Sequence, residues 1–306
     1  MAEDPLPPPP SSAPTVEVCY RHVDVETRVH CTRCGRPICP DCMIAAPVGF
    51  QCPECVEQAR REFRQGPARA LRAGGITVTK ALLFAIGGMF VLEVVTGGPT
   101  ALFEGPNQQE LFDLGAMQPF AIADGQYWRL FSAMFLHAGL FHIVFNAYAL
   151  WLFGATIETN LGRTQMALIY FVTGFLASVT SYAFGPTNVV GVGASGAIFG
   201  IFGAFIAFNY RRRHLAIASA NLRWAGTLLM LNLLLAFALA GRIDWRAHLG
   251  GLVAGIVAGG VAEGWGTAAQ RRLVRVAGFA ALIAVGIALT VWRTNEIRDA
   301  FSGLLG

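Results

Sequence analysis

Seven apolar stretches of this chain lack the charges of a surface helix and read as membrane spans, near residues 76–97, 138–158, 165–184, 193–210, 222–240, 247–264 and 273–292. A hydrocarbon layer of about 30 Å needs roughly 20 residues of helix to span it. The chain therefore reads as an all-α polytopic membrane protein. Composition agrees: 54% of residues are apolar and 14% charged, with a mean hydropathy of +0.51, which excludes an ordinary soluble globular domain. The first residues are acidic and proline-rich rather than basic and apolar, so no signal peptide is expected.

Basic residues orient the spans. With the N-terminus in the cytoplasm, 18 of the 23 Lys and Arg fall on the inner side: ten up to Lys80, then Arg163, Arg211, Arg212, Arg213, Arg223, Arg271, Arg272 and Arg275. Five fall outside: Arg129, Arg242, Arg246, Arg293 and Arg298. This positive-inside bias predicts a cytoplasmic N-terminus and an external C-terminus, with the plasma membrane as the expected location. The net charge of +4 reports topology, and no nucleic-acid partner is expected.

All seven cysteines lie between Cys19 and Cys55, on the expected cytosolic side. Reducing conditions and regular spacing favour metal over disulfides. The ligand pairs are Cys19 with His22, Cys31 with Cys34, Cys39 with Cys42, and Cys52 with Cys55. Eight ligands suffice for about two closed tetrahedral zinc sites of structural type. Pairing first with third and second with fourth makes a cross-braced module resembling B-box and RING zinc fingers; sequential pairing is the alternative. His30 adjoins Cys31 and competes with His22 for the eighth position. The organisation expected is a disordered proline-rich tail (1–18), the zinc module (19–57), a basic linker (58–75), a six-helix core (76–265), and a seventh helix with a short external tail (266–306). The connection 98–137 is rich in aromatic and aliphatic residues and should lie half-embedded at the interface, Tyr127 and Trp128 at headgroup level.

The second, fourth and sixth spans run in the same direction, so their N-terminal ends share the outer leaflet. The polar residues rare in hydrocarbon sit at those ends: His142 and Asn146, then Ser195, then His248. Taken alone, a serine between glycines in a membrane helix is usually a packing residue. Four such groups at one depth instead suggest a water-accessible cavity. His142 and Asn146, four apart, share a helix face, whereas helical spacing separates His137 from His142. Gly196, Gly200 and Ala204 follow Ser195 at intervals of four, and Gly251, Gly255 and Gly259 follow His248. Such small-residue ridges let two helices approach closely. Ser195 would then meet His248, a base for its proton during attack on a carbonyl. The Ser195 N–H, the Asn146 amide and the His142 imidazole are available donors to an oxyanion. Asp244 is expected in a loop, Glu93 has no assigned role, Glu158 with Arg163 reads as an interface ion pair, and Trp128-Arg129 as an anchor at the headgroups.

These residues resemble the rhomboid family of intramembrane serine proteases over roughly residues 76–265. Gly193-x-Ser195-Gly196, Ala247-His248 with Gly251 and Gly255, His142-x3-Asn146, Trp128-Arg129, and Glu158 with Gly162 carry the resemblance. It implies a rhomboid-like six-helix core, here with a seventh C-terminal helix. It also implies Ser195 as nucleophile, His248 as general base, and His142, Asn146 and Gly193 about the oxyanion hole, with His137 in support and no catalytic cofactor. Phe199 stands where family members often carry tyrosine. The implied function is a serine-type endopeptidase cleaving single-span membrane proteins near the outer boundary. The loop 98–137 and the outer end of the fifth span are, by the same resemblance, candidate entry gates. The alternative is a catalytically silent rhomboid-like scaffold that binds membrane clients while its zinc module recruits a cytosolic partner. A transporter fits less well, lacking paired intramembrane carboxylates.

Overall fold

The computed structural model describes residues 17–46, 48–64, 76–238 and 243–305. The proline-rich tail up to residue 16, the linker from 65 to 75, and Arg242 with the end of the fifth span lie outside them. Two compact units emerge, Met1–Gly66 and Pro67–Gly306.

The first unit has little regular structure. Strands β1 (Glu17–Val18) and β2 (Glu26–Thr27) form one antiparallel pair, and β3 (Ile44–Ala45) and β4 (Phe50–Gln51) another. Helix α1 (Pro53–Arg64) follows. The buried core is six cysteines and a single aliphatic residue, Ile38. So small an apolar core cannot hold a fold of this size by burial alone.

The second unit is helical. Its long helices are α2 (Val78–Gly97), α7 (Leu140–Leu161), α8 (Arg163–Phe184), α9 (Ser195–Arg211), α10 (Ala216–Ala238), α11 (Trp245–Glu263) and α12 (Ala268–Leu305). Each of the seven apolar stretches thus carries a helix. Among the described residues, α2, α7, α8 and the Ala268–Ala300 part of α12 are long and apolar enough to cross a membrane. Helix α9 is 17 residues long, short of the length a free span needs. It sits inside the unit, with ten of its side chains or glycines buried, and so is surrounded by protein rather than lipid.

Between α2 and α7 the chain makes short helices α3 (Ala101–Glu104), α4 (Gln108–Asp113), α5 (Pro119–Ala123) and α6 (Arg129–Ser132). Arg129 organises them from inside the protein rather than from its surface. It is 4% exposed and donates to the Phe112 and Ala116 carbonyls at 2.7 and 3.0 Å and to Gln126 at 2.7 Å. Its guanidinium also lies over the Phe112 and Trp128 rings. Trp128 is 51% exposed. Arg129→Ala should take the side-chain donor from the buried Ala116 carbonyl, while the Phe112 carbonyl keeps the Gly115 N–H, and lower stability by about 1–3 kcal/mol, read as a fall in Tm in detergent.

Glu158 is a helix cap before it is an ion-pair partner. Its carboxylate accepts the Val78 and Thr79 backbone N–H groups at 2.9 and 2.8 Å and the Thr79 hydroxyl at 2.7 Å, while Arg163 stands off at 3.8 Å. These N–H groups open α2 and have no partner within the helix. Glu158→Gln should cost about 1–2 kcal/mol by weakening the charged cap, measurable as a shift in thermal unfolding.

Helix α12 extends well beyond the stretch 273–292, because its helical backbone continues through the polar residues at both ends of the apolar run. Thr294 meets the Tyr182 hydroxyl at 2.9 Å, Arg293 donates to the Gly185 carbonyl at 3.2 Å, and Arg298 to the Ala123 carbonyl at 2.7 Å. The seventh helix is thereby fastened to α8 and to the short helix α5.

Candidate functional site

Helices α9 and α11 pack backbone against backbone. A Cβ placed on Gly251 or Gly255 would fall inside the van der Waals shell of the Gly196 or Gly200 carbonyl oxygen, and one on Gly259 would lie 2.7 Å from the Ala204 Cα. Both ridges of small residues meet along this line. Toward the C-terminal end of both helices Arg211, at 3.1 Å, and Arg212 both pair with Glu263, so the basic run after α9 has a partner on α11.

At the N-terminal end of both helices the approach brings Ser195 to His248. Ser195 is the first residue of α9, and its Oγ lies 2.9 Å from His248 Nε2. Phe199, one turn below, stacks on the His248 ring at 4.3 Å between centroids and 14° between planes. Asp244 is the N-cap of α11: it accepts the Ala247 N–H at 3.1 Å and the Ser181 hydroxyl. It therefore ties α11 to α8, and no contact of its carboxylate with the His248 ring is among these bonds.

Gly193 adopts φ +131°, a conformation that side-chain-bearing residues avoid. Its N–H donates to the Ala133 carbonyl at 2.9 Å, and Gly191 pairs with Met117 through two bonds of 2.9 Å. The segment before the serine is thus zipped to the loop after α2. Because the Gly193 N–H is engaged, what Gly193 offers is room: a Cβ there would lie 2.9 Å from His142 Nε2 and 3.5 Å from Ser195 Oγ.

His142 Nδ1 accepts the Ala138 N–H at 3.2 Å. A neutral imidazole has one N–H, so this geometry assigns the proton to Nε2, the atom beside Gly193. Asn146 follows one turn along α7; it is buried, and its Nδ2 has no hydrogen-bond partner among the described residues. The Ser195 N–H opens a helix and has no partner within it. Among the described residues, no hydrogen bond engages the three donors named from sequence. His137 departs from the reading by helical spacing. Helix α7 begins only at Leu140, so His137 lies in the preceding turn, and its ring meets His142 edge-on at 5.2 Å.

In the first unit the cysteines cluster as Cys19, His22, Cys39, Cys42 and as Cys31, Cys34, Cys52, Cys55, the ligand atoms of each set within 4.8 Å of one another. This is the interleaved grouping. His22 Nδ1 lies 3.1 Å from Cys39 Sγ, and Cys34 Sγ lies 3.8 Å from Cys52 Sγ. Metal–sulfur bonds of about 2.3 Å in a tetrahedron place sulfurs roughly 3.8 Å apart, so both sets fit zinc. His30 bonds Glu17 at 2.6 Å instead. The Arg36 guanidinium, 3.4 Å from Cys34 Sγ, holds that thiol below the usual range.

Comparison with known proteins matches residues 124–263 to the rhomboid domain family. The chain is 34% identical over 201 residues to the rhomboid protease GluP of Bacillus subtilis, covering 65% of this chain and 37% of that protein. It is 36% identical over 136 residues to the putative rhomboid protease YdcA of Bacillus subtilis, covering 44% of this chain and 67% of that one. The chain belongs to the rhomboid family. A mitochondrial RHOMBOID-like protein 6 of Arabidopsis thaliana is 34% identical over 164 residues, 51% of each chain. The chain thus spans little more than a third of GluP and half of the plant rhomboid. Among these rhomboid relatives are proteins named as proteases and one named as mitochondrial.

Glu93 is the residue that sequence reasoning left without a place. A lone carboxylate inside an apolar span marked it as unusual, but its partner, a backbone N–H in a turn, has no sequence signature.

Proposed function

We propose that this rhomboid is an intramembrane serine endopeptidase that cleaves single-span membrane proteins near the outer boundary of the membrane. The observation that carries this reading is the 2.9 Å contact between Ser195 Oγ and His248 Nε2. As Ser195 Oγ attacks the scissile carbonyl, His248 Nε2 takes the hydroxyl proton. The tetrahedral oxyanion is met by the Ser195 N–H, the Asn146 amide and the His142 Nε2–H, each worth about 10²–10³ in rate where such donors have been removed. His248 then returns its proton to the departing amine, and the C–N bond breaks, leaving Ser195 acylated. Water, deprotonated by His248, releases the acyl group. A Ser–His dyad suffices in this scheme; Asp244 serves the fold of α11. A substrate helix must unwind locally to present its peptide bond, so residues of poor helix propensity should favour cleavage.

The layout proposed with this activity has seven spans, the N-terminus in the cytoplasm and the C-terminus outside, in the plasma membrane. The N-terminal module would hold two zinc ions through its two four-residue sets. Zinc there closes a fold and leaves no coordination position for a reactant. A cytosolic protein is its proposed partner.

The test compares purified protein with Ser195→Ala and His248→Ala on a transmembrane substrate in detergent. Cleavage by the parent and loss in both variants is expected. Equal cleavage by all three would sink the dyad.

A further inference from the structure

Glu93 is 0% exposed, on a helix whose other buried side chains are Thr79, Leu82, Ile86 and Phe90. A buried carboxylate in such surroundings is costly unless a specific contact holds it. Its Oε1 accepts the backbone N–H of His137 at 2.7 Å. The turn that receives it leads to the oxyanion pocket in two steps. The next N–H, that of Ala138, donates to His142 Nδ1 at 3.2 Å. The far nitrogen of the same ring, Nε2, faces Gly193 and Ser195.

The turn is also gripped from the opposite side. Gly139 has φ +101°, and a Cβ there would meet the Phe103 carbonyl oxygen at 2.5 Å; one on Gly105 would meet the Ala138 carbonyl carbon at 2.8 Å. The chain at 137–139 is thus wedged between Glu93 and the 103–105 segment. His137, 0% exposed, fills the remaining space with its ring against His142.

We propose that Glu93 is a positioning residue for His142: by holding the His137 N–H it sets the turn whose Ala138 N–H selects the Nε2–H tautomer of His142, the form able to donate to the oxyanion. This rests on the protease reading for its kinetic consequence, though not for its structural one. Were the turn to rotate, Nδ1 would lose its donor, and the ring proton could move to the nitrogen facing away from the serine. The essential property of residue 93 is then reach, since an amide oxygen at the same distance also accepts the N–H, if less strongly than a carboxylate.

Glu93→Gln keeps the reach without the charge, and Glu93→Asp keeps the charge while withdrawing the acceptor by one methylene. Steady-state cleavage of a transmembrane substrate in detergent should show Glu93→Asp down about tenfold in kcat with KM unchanged, and Glu93→Gln within about twofold of the parent. In a His142→Ala background, Glu93→Asp should cause no further loss, because both changes disable one donor. A full additional tenfold loss there, or Glu93→Gln as damaging as Glu93→Asp, would overturn the proposal. The second readout needs no proteolysis: nitrogen NMR of 15N-histidine-labelled protein, with the His142 signal assigned by its absence in His142→Ala. The parent and Glu93→Gln should carry the proton on Nε2, and Glu93→Asp a mixture of tautomers. An unchanged His142 tautomer in folded Glu93→Asp would equally overturn it. If the parent cleaves nothing, the protease reading fails, while this spectrum still decides the role of Glu93.

Discussion

Gly255→Ala is expected to lower kcat by about 10²-fold, although Gly255 touches no reacting atom. The added methyl would sit within the shell of the Gly200 carbonyl oxygen, which is backbone and cannot swing aside. Helices α9 and α11 must separate by roughly 1 Å, and a misplacement of that size in a catalytic pair costs about two orders of magnitude. Overpacking of this kind also destabilises by about 1–3 kcal/mol. Gly255→Leu should extinguish cleavage as fully as Ser195→Ala. The control is Gly260→Ala on the same helix, where a Cβ meets nothing within 4 Å; it should match the parent in rate and be as stable or slightly more so. Kinetics and thermal unfolding of the three variants in one detergent check the prediction. Similar rates for Gly255→Ala and Gly260→Ala would mean that close helix approach is not what aligns the dyad.

Stripping metal from the N-terminal module is expected to unfold it while leaving the membrane unit folded. The module buries six cysteines around one isoleucine, so in the proposed zinc-bound form metal–thiolate bonds would supply what an apolar core supplies elsewhere. Structural zinc in small fingers contributes apparent binding free energies of about 10–16 kcal/mol, far above the stability such a core could provide. Hydrogen exchange on the full chain, before and after a strong chelator, should show protection lost across Cys19–Cys55 and retained in α8, α9 and α11. Metal analysis should find two zinc ions per chain, falling to one in Cys39→Ser. Unchanged protection in chelated, metal-free protein would refute the structural role.

Much of this was readable along the chain. The helices of the membrane unit follow from uninterrupted apolar runs, because nothing else in the sequence could satisfy so much greasy backbone. The four-residue spacing of glycines after Ser195 and after His248 already marked two faces that must touch something closely. The two-residue gaps of the cysteine pairs already marked turns able to present both sulfurs to one ion. Other parts were illegible for a common reason. Glu158 acts on backbone N–H groups about 80 residues away, Arg129 on carbonyls of its own loop, and Asp244 on a hydroxyl 63 residues distant. Backbone partners carry no residue identity, and a lone hydroxyl far along the chain carries no spacing, so no local pattern of side chains announces them. His137 lies before a helix start that only the fold locates, so helical period does not describe its place beside His142.

By itself, the sequence determined that the chain is a membrane protein, which residues are candidates for chemistry, and which small residues permit close approach, since these depend on composition and local period. The tertiary structure alone decided that the serine segment is tied to the loop after α2, that the cysteine pairs interleave, and that a carboxylate on α2 reaches the turn behind His142. Those arrangements arise from contacts between segments far apart in the chain, where distance in space is set by packing and not by spacing in sequence.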